Sequence, residues 1–435
     1  MKGSTRNLYQ LDGRVPLLRA IPFGLQHILA MFVANITPII ILSNAAGLDK
    51  ETSAMLLQNC MIIAGIGTLI QLYPVWRIGA RLPIVMGISF TFLSVAIAIV
   101  ARHGMGSLIG AVIVGGIIEG CFGLFHKYWI KYVPKVVSAT VVTAIGLTLV
   151  PIGANDFAGG AGAADFGSAR NWILGSVSLI VCVILHAKAK GTLRALSILA
   201  GLAAGYILAL CIGAVDFSPV HNVKLISLPR ILPFKPEFHI SDILAMLSIF
   251  FVSATETIGD SSALCYSALK REITDKELGG SISCDGFISS VAGMLGCTPI
   301  TTFSQNIGLI AISRIVNRFT IAVGATLMIL GGLFPVFGIV LNTIPNAVLG
   351  GCTILMFGSI LYAGFEMISK SGFTKRNLII TGIPLCIGFG FTRIPAIFNI
   401  FPEVFRMVFA ENCVAIVFIL AVLLNLIVPE DEQDK

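Results

Sequence analysis

Long apolar runs recur along almost the whole chain, from Pro22 to Ile427, and they constrain its fold more than any other feature. Each run is about 20 residues long, the length that a helix needs to cross the hydrocarbon core of a bilayer. The chain is 56% hydrophobic and only 12% charged, whereas soluble globular domains are about 25% charged. A membrane barrel would show alternating segments of about 10 residues instead. The sequence therefore predicts an all-α polytopic membrane protein.

Fourteen such runs predict 14 transmembrane segments. Their approximate bounds are 22–43, 53–75, 82–100, 106–126, 134–152, 171–187, 194–214, 241–267, 283–296, 300–316, 319–340, 345–364, 377–392 and 411–428. The first is too long for the core of a signal peptide and is expected to be retained. The 10 cysteines are scattered, without a CxxC pair or a His-Cys spacing suited to metal, so we expect no disulfide, metal or cofactor.

Lys and Arg residues are shared unevenly between the predicted loops. With the N-terminus inside, 21 of the 29 fall on the cytoplasmic side, and cytoplasmic loops carry such an excess. An even number of spans returns the C-terminus to the same side. We predict a multi-pass protein of the cell (inner or plasma) membrane with both termini in the cytoplasm. The net charge of +7 then reflects topology rather than a nucleic-acid partner.

The two halves of the chain share a pattern. A proline opens a segment in each half and is followed six and seven positions later by candidate ligand residues: Pro83 by Ser89 and Phe90, and Pro299 by Gln305 and Asn306. A second pair of prolines opens segments five and twelve. Two matched prolines could also arise by coincidence. Because seven spans form each half, the second copy enters from the opposite side, which predicts two inverted seven-segment repeats.

Segments three and ten carry the interruptions, and paired interruptions are the best sequence-level pointer to a transport site. A proline followed by polar residues predicts a short strand that enters a half-helix. Such irregular backbone must be buried in protein or line a cavity, because lipid cannot satisfy its N–H and C=O groups. Two facing half-helix N-termini would present N–H donors and positive dipole ends to a polar or anionic ligand.

Four of the 22 acidic residues fall well inside predicted spans: Glu119, Glu256, Asp260 and Asp285. Each is costly there, about 2.5–3.5 kcal/mol for an Asp at a helix centre. Glu256 and Asp260 are four residues apart and share one helix face. Two ionised carboxylates would repel each other in a low dielectric, so one is expected to hold a proton or a hydrogen-bond donor. Such a pair suits an N–H-rich ligand and a coupling proton; capping or cross-linking of packed helices is the alternative.

Each remaining candidate has a structural alternative. Asp285 is predicted to cap a helix or to brace the neighbouring discontinuous helix, and Glu119 to act in function or to make a helix-packing hydrogen bond. His27 is either a satisfied core histidine or part of a network with the acids. Phe90, beside Ser89 at the break of segment three, predicts a stacking platform for a flat ligand, although core packing is the ordinary use of Phe.

These motifs together resemble the nucleobase-ascorbate transporter family, also called nucleobase:cation symporter-2. The signature of that family is [Gln/Glu/Pro]-Asn-x-Gly-x4-Thr-[Arg/Lys/Gly], and the run from Gln305 to Arg314 fits it with Ser313 in place of Thr. The substitution keeps the hydroxyl. The other family motifs are matched, in order along the chain, by Gln26-His27, Ser89-Phe90, Glu256-Thr-Ile-Gly259-Asp260 and Asp285-Gly286.

The resemblance implies a homodimer in which a core domain moves against a gate domain in an elevator-like motion. The core would comprise residues 20–127 and 237–340, and the gate residues 128–236 and 341–429. It also implies that Glu256 and Gln305 hydrogen-bond the base and that Phe90 stacks on it, with further contacts at Ser89 and Ser304. The residues that would support the site and its coupling are Asp260, Asp285, Asn306, His27 and Gly308.

Gln305 favours a purine among the nucleobases. Uracil carriers of the family tend to have Glu at this position, and a neutral amide can both donate to and accept from a xanthine or urate edge. We therefore predict a membrane-embedded importer of xanthine or uric acid, coupled to protons rather than sodium, and not an enzyme. The alternatives are a uracil or other nucleobase symporter of the same fold, an inorganic anion transporter and, from a different class, a polytopic membrane enzyme or a channel.

Overall fold

The computed structural model describes residues 5–129, 134–215, 226–410 and 412–429. Four charges counted in the predicted topology, Lys2, Lys131, Lys224 and Lys435, lie outside these residues, as do parts of the predicted gate ranges (130–133, 216–225 and 411). The helices are α1 (Leu17–Ala45), α2 (Lys50–Leu72), α3 (Leu93–Leu124), α4 (His126–Trp129), α5 (Lys135–Phe157), α6 (Ala169–Lys188), α7 (Thr192–Ala195), α8 (Ser197–Cys211), α9 (Ile240–Leu264), α10 (Asp275–Met294), α11 (Ser304–Ser313), α12 (Arg318–Gly332), α13 (Pro335–Leu341), α14 (Asn346–Ser371), α15 (Lys375–Thr392), α16 (Glu403–Phe409) and α17 (Cys413–Ile427). Two strands, β1 (Met86–Ile88) and β2 (Ile300–Thr302), complete the regular structure of the described residues, together with short 3-10 and π turns.

Seven helices of the described residues are long and apolar enough to cross a membrane. They are α1, α2, α3 with the turn before it, α5, α6, α9 with the turn after it, and α14. The pair α12 and α13, bent by 84° at its break, raises the number to eight. The chain is thus a mostly helical multi-pass membrane protein. Helices α8 and α17, with 15 residues each, are short for a span, so 14 spans stay a prediction.

Three predicted segments differ in detail from the helices. Segments three and four share α3, which is broken at Gly104. The backbone there has φ 80° and ψ −178°, a conformation that glycine adopts readily because it has no Cβ. Segment eleven bends where Pro335 starts a new helix. Segment nine starts at Asp275 rather than near residue 283, because Thr274 and Glu277 form a reciprocal capping box there.

Helix packing divides most of the described fold into two groups. In the first, α10 packs on α3, α3 on α9, and α12 on α1 and α2. In the second, α14 packs on α5 and α6, and α17 on α5 and α15. Glycine allows the closest approach in the first group: a Cβ on Gly286 of α10 would lie 2.1 Å from the backbone nitrogen of Gly120 on α3. The two strands lie inside this first group.

Candidate substrate-binding site

Strands β1 and β2 bring the two predicted breaks together. They pair antiparallel, with Gly87 opposite Thr301. The pairing continues beyond both strands through two backbone hydrogen bonds, from Phe303 N–H to Val85 O (2.9 Å) and from Ser89 N–H to Pro299 O (3.1 Å). A side chain at Gly87 has no room, because its Cβ would lie 2.5 Å from Cε of Met31. The short strands predicted before the half-helices are therefore present, and each satisfies the other's backbone.

Buried polar side chains from three helices satisfy three further strand amides. They accept hydrogen bonds as follows: Asn35 of α1 from Ile88 N–H (2.8 Å), Thr68 of α2 from Met86 N–H (2.9 Å), and Ser289 of α10 from Ile300 N–H (3.1 Å). An unpaired backbone group would be costly in a membrane. Sequence reasoning missed all three residues, although a polar residue inside an apolar run is a signal that could have found them.

Asp285 braces the strand that precedes the discontinuous helix. Its Oδ2 accepts from the backbone N–H of Thr302 (2.9 Å) and from the hydroxyl of Thr257 (2.6 Å). Its Oδ1 accepts from the amide of Gln71 (3.1 Å) and from the Thr302 hydroxyl (3.2 Å). Of the two predicted arrangements, bracing is observed and helix capping is wrong, because α10 starts ten residues earlier, at Asp275.

Asp260 accepts a hydrogen bond from the first residue of the half-helix α11. Helix α11 begins at Ser304, and Phe303 before it supplies no side-chain cap. The Ser304 hydroxyl donates to Oδ2 of Asp260 at 2.5 Å. The next residue, Gln305, is exposed and has no hydrogen bond to another described residue. The amide of Gln305 is thus free beside the unsatisfied N–H groups of a helix start.

Glu256 lies one turn before Asp260 and reaches the other break. Its Oε2 accepts from the hydroxyl of Thr91 at 2.9 Å, and Thr91 belongs to the 3-10 turn Phe90–Phe92 that follows β1. The side chain of Glu256 is partly exposed. Glu256 is therefore hydrogen-bonded to the break after β1, and Asp260 to the break after β2. Thr91 is a further residue that sequence reasoning missed.

Phe90 lies where the two helix groups meet. Its ring is 6% exposed and packs edge-on against Phe357 of α14, with ring centroids 5.2 Å apart at 81°. Ser89 caps the turn, because its hydroxyl oxygen accepts from Thr91 N–H at 3.3 Å. Ser89 and Phe90 thus have structural contacts of their own in this conformation.

His27 and Asn306 are buried next to each other without hydrogen bonds. Each is 1% exposed, and they face each other between α1 and α11. Neither ring nitrogen of His27 and neither amide atom of Asn306 has a hydrogen-bond partner among the described residues. A satisfied core histidine and a network with the acids both stay predictions for His27, which has Asn306 as its polar neighbour.

Open space lies next to these side chains. Gly259, between the two acids of α9, and Gly308 of α11 are exposed, and a Cβ on either would meet no heavy atom within 4 Å. Glu119 is separate from the hydrogen-bonded network: it is 0% exposed, and neither of its oxygens has a hydrogen-bond partner of ordinary geometry among the described residues. Both of its predicted roles stay predictions. The open space thus lies on the two helices that carry Glu256 and Gln305.

The fold matches that of solved transporters. The transmembrane domain of a cyanobacterium bicarbonate transporter, BicA, aligns with a TM-score of 0.58 at 15% identity, covering 93% of this chain and 97% of that one. The murine anion transporter Slc26a9 in its inward-facing state aligns with a TM-score of 0.63 at 12% identity, covering 95% and 71%. Identities this low establish the fold alone. Together with the interrupted helices, the fold is that of a mostly helical multi-pass membrane protein.

A family model described as a permease family matches residues 18–397. The chain therefore belongs to this family, nucleobase:cation symporter-2, which confirms the resemblance and places it among transporters rather than enzymes. Its relatives include the xanthine permease XanQ of Escherichia coli K12, 34% identical over 97% of this chain and 94% of the relative. In Bacillus subtilis they include a xanthine permease, 33% identical over 94% and 93%, and the uric acid permease PucK, 32% identical over 88% and 89%.

Proposed function

We propose that this protein imports a purine nucleobase, xanthine or uric acid, by proton symport across the plasma membrane. The observation that carries the proposal is the free amide of Gln305, exposed at the start of α11 next to the acids of α9. An amide offers both a donor and an acceptor to a purine edge. The names of the xanthine and uric acid permeases among its relatives support the same substrate class.

Glu256 and Gln305 are the proposed hydrogen-bonding partners of the base. Thr91 occupies only Oε2 of Glu256, which leaves Oε1 to accept from a purine N–H. Phe90 stacks on the base after its contact with Phe357 rearranges. Backbone N–H groups near Phe90 and Ser304 add contacts, as helix starts do for polar ligands; Ser89 is proposed to lie beside them in the site.

The coupling proton is proposed to reside on the α9 acids. Glu256 and Asp260 share a helix face, and two negative charges in a low dielectric repel each other. A proton on Glu256 removes one charge when the base binds. The residues that support this arrangement in our proposal are Asp260, Asp285, Asn306, His27 and Gly308.

The strand register supports an inverted repeat. Met86 and Thr302, each three residues after its proline, are opposite each other in the sheet, so the pairing is symmetric about a local two-fold axis. We propose 14 segments in two such repeats, with both termini in the cytoplasm. We propose that the first packing group belongs to the core (20–127 and 237–340) and the second to the gate (128–236 and 341–429) of a homodimeric elevator.

The alternatives make different predictions. A uracil symporter of this fold is disfavoured by Gln305. The solved structures of similar fold include a bicarbonate transporter and an anion transporter, but an inorganic anion would be repelled by Glu256 and Asp260. A channel would show flux that does not saturate and no substrate-driven proton entry.

The experiment is uptake of labelled xanthine by cells that express the protein. Uric acid, guanine, hypoxanthine and uracil compete in parallel, with and without an uncoupler and with and without sodium. We expect saturable uptake that is inhibited by uric acid, collapses with the uncoupler and does not require sodium. Strong competition by uracil alone, or uptake that the uncoupler leaves intact, would contradict the proposal.

A further inference from the structure

Glu119 is a buried carboxyl group that the proposed substrate site does not use. It lies on α3, 0% exposed, and neither of its oxygens has a hydrogen-bond partner among the described residues. Asp285, equally buried, accepts four hydrogen bonds. An ionised carboxylate without hydrogen bonds is strongly disfavoured in a low dielectric, and such a group takes up a proton instead.

The helices packed against Glu119 offer it acids rather than a cation. Its charged neighbours within the described chain are Asp285 on α10 and Glu256 on α9. Ser253 of α9 is the neighbouring hydroxyl, but the contact lacks hydrogen-bond geometry. Gly286 of α10 packs directly on the backbone of Glu119. A Cβ added to this glycine would lie 2.7 Å from the carbonyl carbon of Glu119. Negative charge on either acid therefore favours the neutral form of Glu119.

Glu119 lies closer to the end of its helix than Glu256 does. Helix α3 ends at Leu124, five residues or about 7.5 Å further on, at the side of the membrane predicted to be cytoplasmic. Glu256 is eight residues from the end of α9 at Leu264, which is predicted to face the same side. Along its own helix, Glu119 is thus nearer to the predicted cytoplasmic end than Glu256 is.

We propose that Glu119 is a second proton-binding site of this transporter, protonated in the conformation described here. Arrival of a proton on Glu256 removes a repelling charge, so Glu119 can ionise and release its own proton toward the cytoplasmic end of α3. The two carboxyl groups then titrate as a pair rather than independently. This inference rests on the proposed proton symport.

The test compares the wild-type protein with Glu119→Gln, which mimics the neutral acid, in proteoliposomes. Asp156→Asn is the matched control, because Asp156 is also buried and one of its oxygens has no partner among the described residues, but it lies on α5, in the other helix group. Three quantities are measured: the infrared carbonyl stretch of protonated carboxyl groups, substrate exchange at equilibrium, and accumulation as a function of pH.

We expect the wild type to show a carbonyl band of a carboxyl group without hydrogen bonds, which Glu119→Gln loses and Asp156→Asn keeps. Glu119→Gln should keep exchange within about threefold of wild type, lose about tenfold in accumulation, and show a flattened pH profile. The control should keep the wild-type profile.

A wild-type pH profile and wild-type accumulation in Glu119→Gln would overturn the proposal. If that variant does not fold, wild-type protein labelled with ¹³C at the Glu carboxyl decides. Absence of a shifted band at the frequency of a carboxyl group without hydrogen bonds overturns the proposal equally, because Glu256 accepts a hydrogen bond from Thr91. If the infrared carbonyl band depends on Glu119 but uptake is unchanged by the uncoupler, the proposed proton symport is contradicted, whereas the proton-binding site at Glu119 is supported.

Discussion

Gln305 and Asp285 show how two polar residues in one apolar environment take opposite roles. The two carboxylate oxygens of Asp285 accept four hydrogen bonds from within the protein, so this residue holds strand β2 in place. Gln305 has no hydrogen bond to a described residue and is exposed. A residue whose bonding capacity is used internally stabilises a site, whereas one that is left free can bind a ligand.

Replacing Gln305 by Glu should change substrate preference. The change removes the N–H₂ donor and adds a charge, so we expect purine affinity to fall by about tenfold or more and competition by uracil to rise. The measurement is the inhibition profile of labelled xanthine uptake by purines and uracil. Gln305→Asn keeps the neutral amide but shortens the side chain, so it distinguishes the effect of side-chain length from the effect of the added charge. An unchanged inhibition profile in Gln305→Glu would rule out the residue as a ligand.

Replacing Glu256 by Gln should abolish accumulation of substrate against a gradient. Gln fills the same volume but cannot bind and release a proton, so we expect uptake to become insensitive to an uncoupler. The control is Glu366→Gln, which breaks an exposed pair with Lys370 (2.6 Å) worth at most about 0.5 kcal/mol. Accumulation by Glu256→Gln at the wild-type level would refute the proton role.

At the scale of elements, the contact of α3 with α10 positions Asp285 and therefore β2. Gly286 leaves no room for a methyl group, with its nearest backbone neighbour at 2.1 Å from an added Cβ. Gly286→Ala should lower the free energy of unfolding by about 1–3 kcal/mol through overpacking. Gly358 on α14 has nothing within 4 Å, so Gly358→Ala should be neutral or stabilise by about 0.5–1 kcal/mol. Thermal unfolding in detergent measures both, and equal melting temperatures would contradict the packing argument.

The start of α10, outside the predicted spans, should make stability depend on pH. Partial burial of Glu277 acts to raise its pKa, but hydrogen bonds from Arg271 and Thr274 outweigh burial and hold the pKa below its usual range. Its stabilisation is therefore present above the pKa of the unfolded chain, about 4.3, and is lost as pH falls through the lowered value. Glu277→Gln should cost about 1 kcal/mol at neutral pH. The difference in free energy of unfolding between Glu277→Gln and wild type should vanish in acid. A difference that stays constant with pH would exclude the hydrogen bonds of Glu277 with Arg271 and Thr274 as its source.

For the whole molecule, the two helix groups meet through few polar contacts among the described residues. Asn44 of α1 donates to Asn346 of α14 at 2.9 Å, and Asn412, which caps α17, donates to the Ser248 hydroxyl of α9 at 3.3 Å. Such sparse bonding suits groups that move relative to each other, because little has to be broken.

A covalent link between the groups should stop such movement. In a background without native cysteines, we expect oxidative cross-linking of Asn44→Cys with Asn346→Cys to reduce uptake by about tenfold or more, with recovery on reduction. Each single variant, treated in the same way, is the control. Full uptake by the cross-linked pair would contradict the elevator-like motion.

The sequence alone determined the membrane class, the positions of most helices, the two breaks and the motif residues Glu256 and Gln305. These follow from local features: runs of apolar residues, prolines at segment starts, and costly charges within them. Helix limits were less accurate, since the cap at Thr274 moved the start of α10 to Asp275.

Only the tertiary structure decided which polar groups satisfy one another. Gln71 and Asp285 are 214 residues apart and Thr91 and Glu256 are 165 apart, and no local pattern encodes such partners. It also decided that Glu119 has none among the described residues. The physical reason is that hydrophobic patterning fixes which segments enter the membrane, whereas hydrogen bonding there depends on which helix faces pack together.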